Sequence, residues 1–366
     1  MNTDIQIALL AGDETIDYKV LFCLNKINKN IHIISNDENS ILKHSRYKKK
    51  FVYIPWSENA DKGQSNAEDV KAFCDKNNID VIFTGDCNSG IFLDRNKEIF
   101  SNQKFYPPLD HETLLHVDHK WNFSKTLMRE GISTPHTIYL DKPEQVDLSQ
   151  EAFIEQEIGY PLIAKPALGD DSLGVTKIEN FDQLRDHVLG KNSYSELPLI
   201  VQQYIEGNDA GYSFLAKDGD VLIQSIQLVI NEDELEFRHH QGIEDIGKKI
   251  VKLFNYNGAG NIDVRIDSST GQVYVFELNP RFWRSVTASM WRGANFPKKM
   301  LNVTRGQEYD YLTTEGKYTL PGKKIKNVLK RPWTYFSYSK IDREEILYNL
   351  MDYKSHFVIL WRYFKG

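Results

Sequence analysis

A predicted β-hairpin with polar ends is the feature that most constrains this 366-residue chain. Its two apolar segments are Asn261–Ile266 and Val273–Phe276, and the residues between them, Ser268–Gly271, have the composition of a turn. The second segment is apolar and aromatic enough for a buried strand, yet it runs into Glu277 and Asn279. The sequence therefore predicts a hairpin that carries several polar side chains to one place.

These polar side chains are all potential oxygen ligands. Asp263 lies on the first strand, and Glu277 and Asn279 follow the second, so two carboxylates and a carboxamide come together. Hard cations such as Mg²⁺ prefer oxygen ligands and are usually shared with phosphate groups. The pattern predicts a magnesium and phosphate site, and a surface hairpin with polar ends is the alternative.

The composition is that of an ordinary soluble globular protein, with 41% hydrophobic and 26% charged residues. The net charge of −6 gives no reason to expect a nucleic acid as a partner. The N-terminus lacks the basic and apolar regions of a secretory signal, and no segment approaches the roughly 18 apolar residues of a membrane span. The cysteines Cys23, Cys74 and Cys87 are too scattered for a disulfide framework or a zinc site. We therefore expect a cytoplasmic location.

Short apolar strands alternate with helical segments in the first part of the chain. The strands Ile5–Leu10, Ile31–Ile34 and Val81–Phe83 predict an open parallel α/β sheet over residues 1–105. The turn after the first strand lacks the second and third glycines of a dinucleotide fingerprint, so no NAD site is expected. Gly85–Gly90 follows a strand where such sheets place ligands, although a plain turn explains it equally well.

The pattern then changes to an α+β body of hairpins and helices. We predict helices at Asp118–Gly131, Ser149–Glu157 and Gly242–Phe254, and strands at His136–Leu140, Leu162–Lys165, Gly174–Ile178, Leu199–Tyr204, Tyr212–Ala216 and Val221–Val229.

Two basic elements precede the hairpin and suit a phosphate ligand. Lys120 lies near the start of a predicted helix, where its ammonium group can reach a phosphate, although most such lysines are solvated. Lys165 lies on a predicted strand and is followed by a loop bounded by Gly169 and Gly174. The N–H groups of this loop, together with Ser172, can fold over phosphate oxygens, and an ordinary glycine turn is the alternative.

A third element suits a nucleoside. The apolar strand at the start of Leu199–Asp209 runs into a glycine turn, so its backbone can present donors and acceptors to an adenine edge. A carboxylate shortly afterwards can accept hydrogen bonds from ribose hydroxyls; Asp209 is the first candidate and Glu206 the second. An ordinary strand and turn would have the same pattern.

In this order, the elements resemble the ATP-grasp enzymes of the carboxylate–amine ligase type, with the fold of the carbamoyl-phosphate-synthase group. The resemblance covers roughly Asp118–Gly293, and the region that includes Lys43–Tyr47 is similar to the nucleotide-fold domain that precedes it in that superfamily. It implies a Rossmann-like pre-ATP-grasp domain and a two-subdomain ATP-grasp fold. The predicted division is 1–105 for the first domain, 106–198 for the subdomain with the glycine loop, 199–315 for the subdomain with the adenine hinge and metal site, and 316–366 for a C-terminal extension.

The resemblance also implies the ligands and the residues that hold them. ATP and Mg²⁺ are expected, with Mn²⁺ as an alternative metal. The implied residues are Lys120 and Lys165 with Gly169, Ser172 and Gly174 for the phosphates, Gln202, Gln203, Tyr204 and Ile205 for adenine, Asp209 for ribose, Asp263, Glu277 and Asn279 for the metal, and Arg281 and Arg284 with Lys165 for catalysis.

Some residues depart from the family pattern or stay open. Asp170 and Asp171 in the glycine loop would repel a triphosphate unless they face outward or bind metal. The hinge begins with Gln202 where an acid is frequent, and Asp209 replaces the commoner glutamate. Arg238 could grip an anion or lie in a solvated loop, and Arg284 and Arg292, which flank tryptophans, could bind an acceptor carboxylate or simply pack.

The implied reaction activates a small-molecule carboxylate as an acyl phosphate and couples it to an amine, releasing ADP and phosphate. Bicarbonate-activating chemistry is the alternative within enzymes, and a non-catalytic ATP-binding module is the alternative outside them. The sequence does not identify the substrates, because specificity in such enzymes lies in loops without a readable code.

The C-terminal segment is basic and aromatic. Residues 323–366 contain ten Lys or Arg against four Asp or Glu, and ten aromatic residues. A cap packed on the body or on a second copy in a homodimer is one interpretation. Contact with an anionic membrane or carrier is the other.

Overall fold

The computed structural model describes residues 5–57, 60–169, 173–190, 197–307 and 314–365, without the side chains of 60–65, 359–361 and 363–365. The chain divides into two compact units. The first consists of Met1–Leu114, Tyr212–Asn261 and Pro280–Gly366, and the second of Leu115–Gly211 and Ile262–Asn279. The predicted division into four parts stays a prediction.

The secondary structure is mixed throughout. The strands are β1 (Ile7–Ala11), β2 (Ile31–Ser35), β3 (Lys50–Tyr53), β4 (Val81–Thr84), β5 (Lys104–Phe105), β6 (Thr137–Leu140), β7 (Leu162–Pro166), β8 (Thr176–Ile178), β9 (Leu199–Gln203), β10 (Gly207–Lys217), β11 (Asp220–Asn231), β12 (Glu234–Phe237), β13 (Gly258–Asp267), β14 (Val273–Asn279) and β15 (Gly316–Thr319). The helices are α1 (Glu14–Asn25), α2 (Ala60–Lys76), α3 (Cys87–Asn96), α4 (His111–Asp118), α5 (Lys120–Arg129), α6 (Glu151–Glu157), α7 (Phe181–Val188), α8 (Gln241–Leu253), α9 (Val286–Trp291), α10 (Phe296–Thr304), α11 (Pro321–Lys330), α12 (Lys340–Met351) and α13 (Tyr353–Lys365).

The first unit begins with the predicted open parallel sheet, in the order β3-β2-β1-β4-β5. Strand β1 is buried throughout because both faces of the sheet are covered. Ile7 and Leu9 join the hydrophobic core on one face, and Ala8 and Leu10 join that on the other. This confirms the predicted α/β class for the N-terminal region.

The second unit contains an antiparallel sheet in the order β6-β9-β7-β8. Leu162 and Ala164 of β7 point into a hydrophobic core with Leu184 of α7 and Ile154 of α6. Asn180 caps α7 by accepting the backbone N–H of Gln183 at 3.0 Å. Since strand side chains alternate, the opposite face of this sheet is left for polar residues such as those of the candidate site.

A further sheet has the strand order β14-β13-β10-β11-β12-β15. Helix α8 packs against β11 of this sheet in the first unit. The bounds of α8 agree with the helix predicted at 242–254 to within one residue at each end. Helix α8 also lies close to β10, and this approach requires a glycine at position 247. A Cβ atom there would lie 2.4 Å from the ring of Tyr212 on β10. The long β10 was predicted only over residues 212–216, because its polar first half conceals the strand.

The structure corrects the helix predicted at Asp118–Gly131. Helix α4 ends at Asp118, and α5 begins at Lys120. The reason is a backbone contact outside the helix: the N–H of Lys120 donates to the carbonyl of Ala167 at 3.0 Å. The C-terminal stop was predicted correctly, since Gly131 has a positive φ of 62°. Among the described residues, none of the helices is both long enough and apolar enough to span a bilayer.

Candidate functional site

Two lysines and a glutamate from three elements of the second unit form the centre of the site. Lys120 is the first residue of α5, Lys165 lies on β7, and Glu277 lies near the end of β14. The Oε2 atom of Glu277 is 3.7 Å from Nζ of Lys120 and 4.0 Å from Nζ of Lys165. One carboxylate therefore serves two ammonium groups, each near the outer limit of an ion pair.

Lys165 reaches this centre because of the alternation along β7. Leu162 and Ala164 face the core, so Lys165 points to the opposite face, where its Nζ lies 5.6 Å from the centre of the Phe276 ring. The side chain is only 7% exposed. Burial lowers the pKa of Lys165 to about 8, although the carboxylate of Glu277 acts in the opposite direction. A buried cation with such loose pairing would be stabilised by a further anion.

Lys120 is tied to the loop that follows β7. Its ammonium group donates to the carbonyl of Gly169, and its backbone N–H donates to the carbonyl of Ala167. The start of α5 and the start of the glycine loop are thus joined through one residue. These contacts hold the Lys120 side chain toward Glu277, the anionic group of the centre.

The predicted metal ligands lie together on the hairpin of β13 and β14. Glu277 and Asn279 are two residues apart on one strand and therefore share a face. The amide Nδ2 of Asn279 donates to Oδ2 of Asp263 at 3.0 Å. Burial acts to raise the pKa of Glu277, but the ammonium groups of Lys165 and Lys120 outweigh it and hold the pKa below its ordinary value. Glu277 is therefore ionised at neutral pH.

This donor set fits a divalent cation. Asp263, Glu277 and Asn279 offer oxygen atoms only, and Asp263 contributes directly to the environment of the Glu277 carboxyl group. Mg²⁺ is bound in proteins through one or two carboxylates together with substrate phosphates, which matches two carboxylates beside two lysines.

The glycine loop is described only at its ends. Gly169 has φ of 116° and Gly174 has φ of 75°, a left-handed region that favours glycine at both positions. A Cβ atom at Gly169 would meet no other atom within 4 Å, so the backbone conformation is the reason for glycine there. Ser172, Asp170 and Asp171 lie outside the described residues.

The predicted adenine hinge is the end of β9. Gln202 pairs with Thr137 of β6 and with Ile163 of β7, so its backbone lies inside the sheet. Its side chain is fully buried and donates from Nε2 to Oγ1 of Thr137 at 2.9 Å. The N–H of Gln203 donates to the carbonyl of His136 at 2.9 Å. The geometry therefore leaves the residues after β9, rather than Gln202, to present backbone groups to a ligand.

Those residues are Tyr204 and Ile205. Ile205 is buried, and its carbonyl accepts a hydrogen bond from Nη1 of Arg265 at 3.0 Å. The ring of Tyr204 lies beneath the ammonium group of Lys177, 4.8 Å from the ring centre. The sequence provides no signal for Lys177 here, because its approach depends on the packing of β8 beside the strand pair β7 and β9.

Arg265 is the residue of this region that the sequence analysis missed. Its Nε donates to Oδ1 of Asp209 at 2.6 Å, and its guanidinium group lies 5.4 Å from the ring centre of Phe276. Asp209, the predicted ribose ligand, is 55% exposed and so keeps access to solvent. The spacing of Arg265 two residues after Asp263 was the one available signal, since both side chains lie on the same face of β13.

The predicted catalytic arginines belong to the first unit. Arg281 follows Asn279 by two residues, and its Nη1 donates to the carbonyl of Phe282 at 3.2 Å. The N–H of Phe282 donates in turn to the carbonyl of Gly85 at 3.1 Å. Arg284 is exposed. The catalytic roles of Arg281 and Arg284 stay predictions.

Two other arginines were left open. Arg238 is 55% exposed and lies 4.0 Å from Glu236, which fits a solvated loop. The guanidinium group of Arg292 lies 5.6 Å from the ring centre of Tyr318. Arg292 is thus engaged in packing within the first unit.

The fold and the site define a class: a mixed α/β and α+β protein in which two buried lysines lie beside two carboxylates and a carboxamide. Residues 117–285 match the family model described as the ATP-grasp domain. The chain therefore contains an ATP-grasp domain, which confirms the resemblance found in the sequence.

A curated relative and a solved structure are also similar to this chain. The chain is 29% identical to D-alanine–D-alanine ligase B of Xanthomonas campestris pv. campestris over 167 residues, which cover 41% of this chain and 51% of that ligase. The chain thus spans about half the length of this relative. It is similar to the solved L-amino acid ligase of Bacillus licheniformis, with a TM-score of 0.62, 16% identity, and coverage of 83% of this chain and 75% of that one.

A third likeness concerns a solved complex. The biotin carboxylase domain of the 2-oxoglutarate carboxylase from Hydrogenobacter thermophilus, in complex with MgADP, ADP and bicarbonate, matches with a TM-score of 0.60 and 18% identity. The match covers 85% of this chain and 73% of that one. At these identities the solved structures establish the fold, and the predicted fold class is confirmed.

Proposed function

We propose that the chain is an ADP-forming ligase that activates a small-molecule carboxylate with ATP and couples it to an amine. The observation that carries this proposal is the sharing of the Glu277 carboxylate by two largely buried lysines, beside Asp263 and Asn279. The long distances between Glu277 and the two ammonium groups, 3.7 and 4.0 Å, leave room for a further anion beside the lysines. A phosphate group with its Mg²⁺ suits both the lysines and the oxygen ligands beside them.

The proposed roles follow from this balance. Lys120 and Lys165 hold the transferred phosphoryl group, and the backbone between Gly169 and Gly174 covers the phosphates. Asp263, Glu277 and Asn279 hold Mg²⁺, which neutralises charge on the phosphates when bound. The backbone of Tyr204 and Ile205 contacts adenine, and Asp209 accepts hydrogen bonds from ribose. Ser172 is proposed to contact the phosphates, and Gln202 and Gln203 to position the hinge through Thr137 and His136.

The proposed reaction has two steps. A carboxylate oxygen attacks the γ-phosphorus of ATP, the bond to the β-phosphate oxygen breaks, and ADP leaves. The amine then attacks the carbonyl carbon of the acyl phosphate, and inorganic phosphate leaves as the amide bond forms. Arg281 and Arg284 are proposed to stabilise the phosphate and the carboxylate. The protein contributes positioning and charge neutralisation and no covalent nucleophile.

The experiment that tests this proposal measures ADP, phosphate and acyl phosphate together. The full chain is incubated with ATP and Mg²⁺ against panels of amino acids, peptides and sugar-linked carboxylates, with and without hydroxylamine. We expect equal amounts of ADP and phosphate only with the correct carboxylate, and a hydroxamate when hydroxylamine replaces the amine. Phosphate release with bicarbonate alone would support the carboxylating alternative instead. Tight ATP binding without ADP release across the whole panel would support a binding module.

A further inference from the structure

Large hydrophobic side chains are exposed on the C-terminal helices of the first unit. Leu329 of α11 is 74% exposed, and Trp333 and Phe336, in the 3₁₀ turn that follows it, are 69% and 78% exposed. Tyr353 and Phe357 of α13 are 64% and 68% exposed. We call these five residues, four aromatic side chains and Leu329, the aromatic face. Burial of such side chains is favourable, so a cluster of exposed ones indicates a surface that binds a partner or a membrane.

The acidic residues of the same segment contact other groups of the first unit. Asp342 and Glu345 both accept hydrogen bonds from the buried Lys324, each at 2.5 Å. Asp352 is buried and accepts the hydroxyl of Tyr18 at 2.8 Å. Glu344 forms an ion pair with Lys26 at 2.5 Å. All four carboxylates of residues 323–365 therefore have partners within the first unit.

Lys323, Lys324 and Arg362 of the segment form ion pairs, but its other basic residues within the described ranges do not. A set of exposed cations has no ion pair with a carboxylate among the residues that the structure describes: Lys326, Lys330, Arg331, Lys340 and Lys354. They are interspersed in sequence with the residues of the aromatic face. This segment thus presents exposed cations among its exposed apolar side chains.

An apolar cleft continues the aromatic face between α11, α12 and α13. Its apolar lining includes Ile325, Leu329, Leu350 and Phe357. The charged and titratable groups that line it are all nitrogen bases (Lys19, His44, Lys354 and His356), and among the described residues no carboxylate lines it. A second copy of the chain would bring like charge against like charge here, whereas an anionic partner would be attracted.

We propose that the aromatic face and its cations bind the surface of an anionic lipid bilayer. Aromatic rings at the level of the lipid headgroups, combined with lysines and arginines that meet anionic phosphates, are the two elements of peripheral membrane binding. Within the described part of the chain, no helix is both long and apolar enough to cross a bilayer. The cleft, with apolar walls and basic groups, receives part of a lipid acyl chain beneath its phosphate. This proposal does not depend on the proposed enzymatic activity.

The test is co-sedimentation of the full chain with vesicles of phosphatidylcholine alone and of phosphatidylcholine with 30% phosphatidylglycerol. We expect binding to the anionic vesicles, little binding to the neutral ones, and release at about 0.5 M NaCl, where charges are screened within a few ångströms. Two double variants separate the contributions, Trp333→Ser with Phe336→Ser and Lys326→Glu with Lys330→Glu. Each should lower the vesicle association constant about 10-fold or more.

Matched controls carry the same chemical changes in other parts of the chain. Leu148→Ser with Phe153→Ser removes side chains that are 63% and 51% exposed, and Lys76→Glu with Lys125→Glu reverses exposed charges. Both controls should bind vesicles like the unchanged chain. All variants should keep the wild-type unfolding transition, because none alters a buried group.

Equal binding to neutral and anionic vesicles, or equal binding of variants and controls, would overturn the proposal. So would concentration-dependent dimerisation in light scattering that the Trp333 and Phe336 changes abolish, since a second copy would then be the occupant.

Discussion

Each compact unit contains a cluster of buried lysine and carboxylate groups, and the two clusters are built differently. In the second unit, Lys120 and Lys165 lie 3.7 and 4.0 Å from Glu277. In the first unit, Lys324 lies 2.5 Å from both Asp342 and Glu345. The same residue types thus form a loose, partly open cluster in one unit and a closed network in the other.

The difference shows how a site differs from a structural ion pair. Lys324 is 2% exposed and Glu345 is 1% exposed, and the hydroxyl of Tyr318 donates to Glu345 as well. These groups make close hydrogen bonds with one another, so the network leaves no room for a ligand between them. Glu277 is 26% exposed, and its two lysines stay beyond close hydrogen-bond distance. Charges that are buried but incompletely paired are typical of a site that awaits a ligand.

The largest expected effect comes from the loose cluster. Glu277→Gln keeps the size and hydrogen-bonding groups of the side chain but removes the charge that the metal and both lysines require. We expect the rate of ADP formation to fall by about 10³-fold, or ~4 kcal/mol in the barrier, with little loss of stability. Steady-state kinetics at saturating Mg²⁺, together with thermal unfolding, measures both. Near-normal turnover of this variant would contradict the site assignment.

The closed network should respond in the opposite way. Lys324→Met leaves the buried Glu345 and the partly buried Asp342 without their cation, and we expect the free energy of unfolding to fall by about 3–5 kcal/mol. Adding Glu345→Gln to this variant should restore part of the loss, because one uncompensated charge is removed. Urea unfolding measures both values. The affinity for ADP at a temperature where the variant is folded should not change; a large change would mean that the network also serves the site.

The pH dependence of nucleotide binding tests the loose cluster in a third way. The pKa of Lys165 in the free protein is about 8, and a bound phosphate would raise it. Below pH 8 the lysine is already charged, so binding requires no proton. Above pH 8 binding must take up a proton, and the Kd for ADP should rise toward 10-fold per pH unit until the pKa of the complex is reached.

Calorimetry in buffers of different ionisation heat measures this proton uptake directly. Lys165→Arg serves as the control, because arginine stays charged over the whole range and should make the Kd nearly independent of pH. A wild-type Kd that does not change between pH 7 and pH 9.5 would show that Lys165 does not contact the bound anion.

The contrast between the clusters also explains what the sequence can and cannot predict. The hairpin of β13 and β14 and the strand that carries Lys165 follow from local polarity and alternation, so they were predicted within a few residues. The parallel N-terminal sheet was predicted for the same reason. The network of Lys324 was not predicted, because it joins α11 to α12 and no local pattern distinguishes a buried lysine from a solvated one.

The hinge shows a similar limit at shorter range. The sequence identifies a strand and a turn near Gln202, but the position at which backbone groups become accessible depends on the neighbouring strands. Pairing with β6 and β7 occupies the backbone of Gln202, so the proposed contact with adenine moves to the residues after β9. Arg265 was missed because its partner Asp209 lies on another strand, 56 residues away.

The smallest expected effect concerns this last pair and decides whether Asp209 serves a ligand or only Arg265. If Asp209 accepts a hydrogen bond from a ribose hydroxyl, Asp209→Ala should weaken ATP binding by ~1 kcal/mol and reduce the preference for ATP over 2′-deoxy-ATP. Arg265→Met breaks the same exposed ion pair, which is worth less than about 1 kcal/mol, but leaves the carboxylate in place. It should therefore keep the preference for ATP. If both variants changed only the thermal stability and left the ratio of the two nucleotide affinities unaltered, Asp209 would be a structural partner of Arg265, and the ribose would have to be bound by another residue such as Glu206.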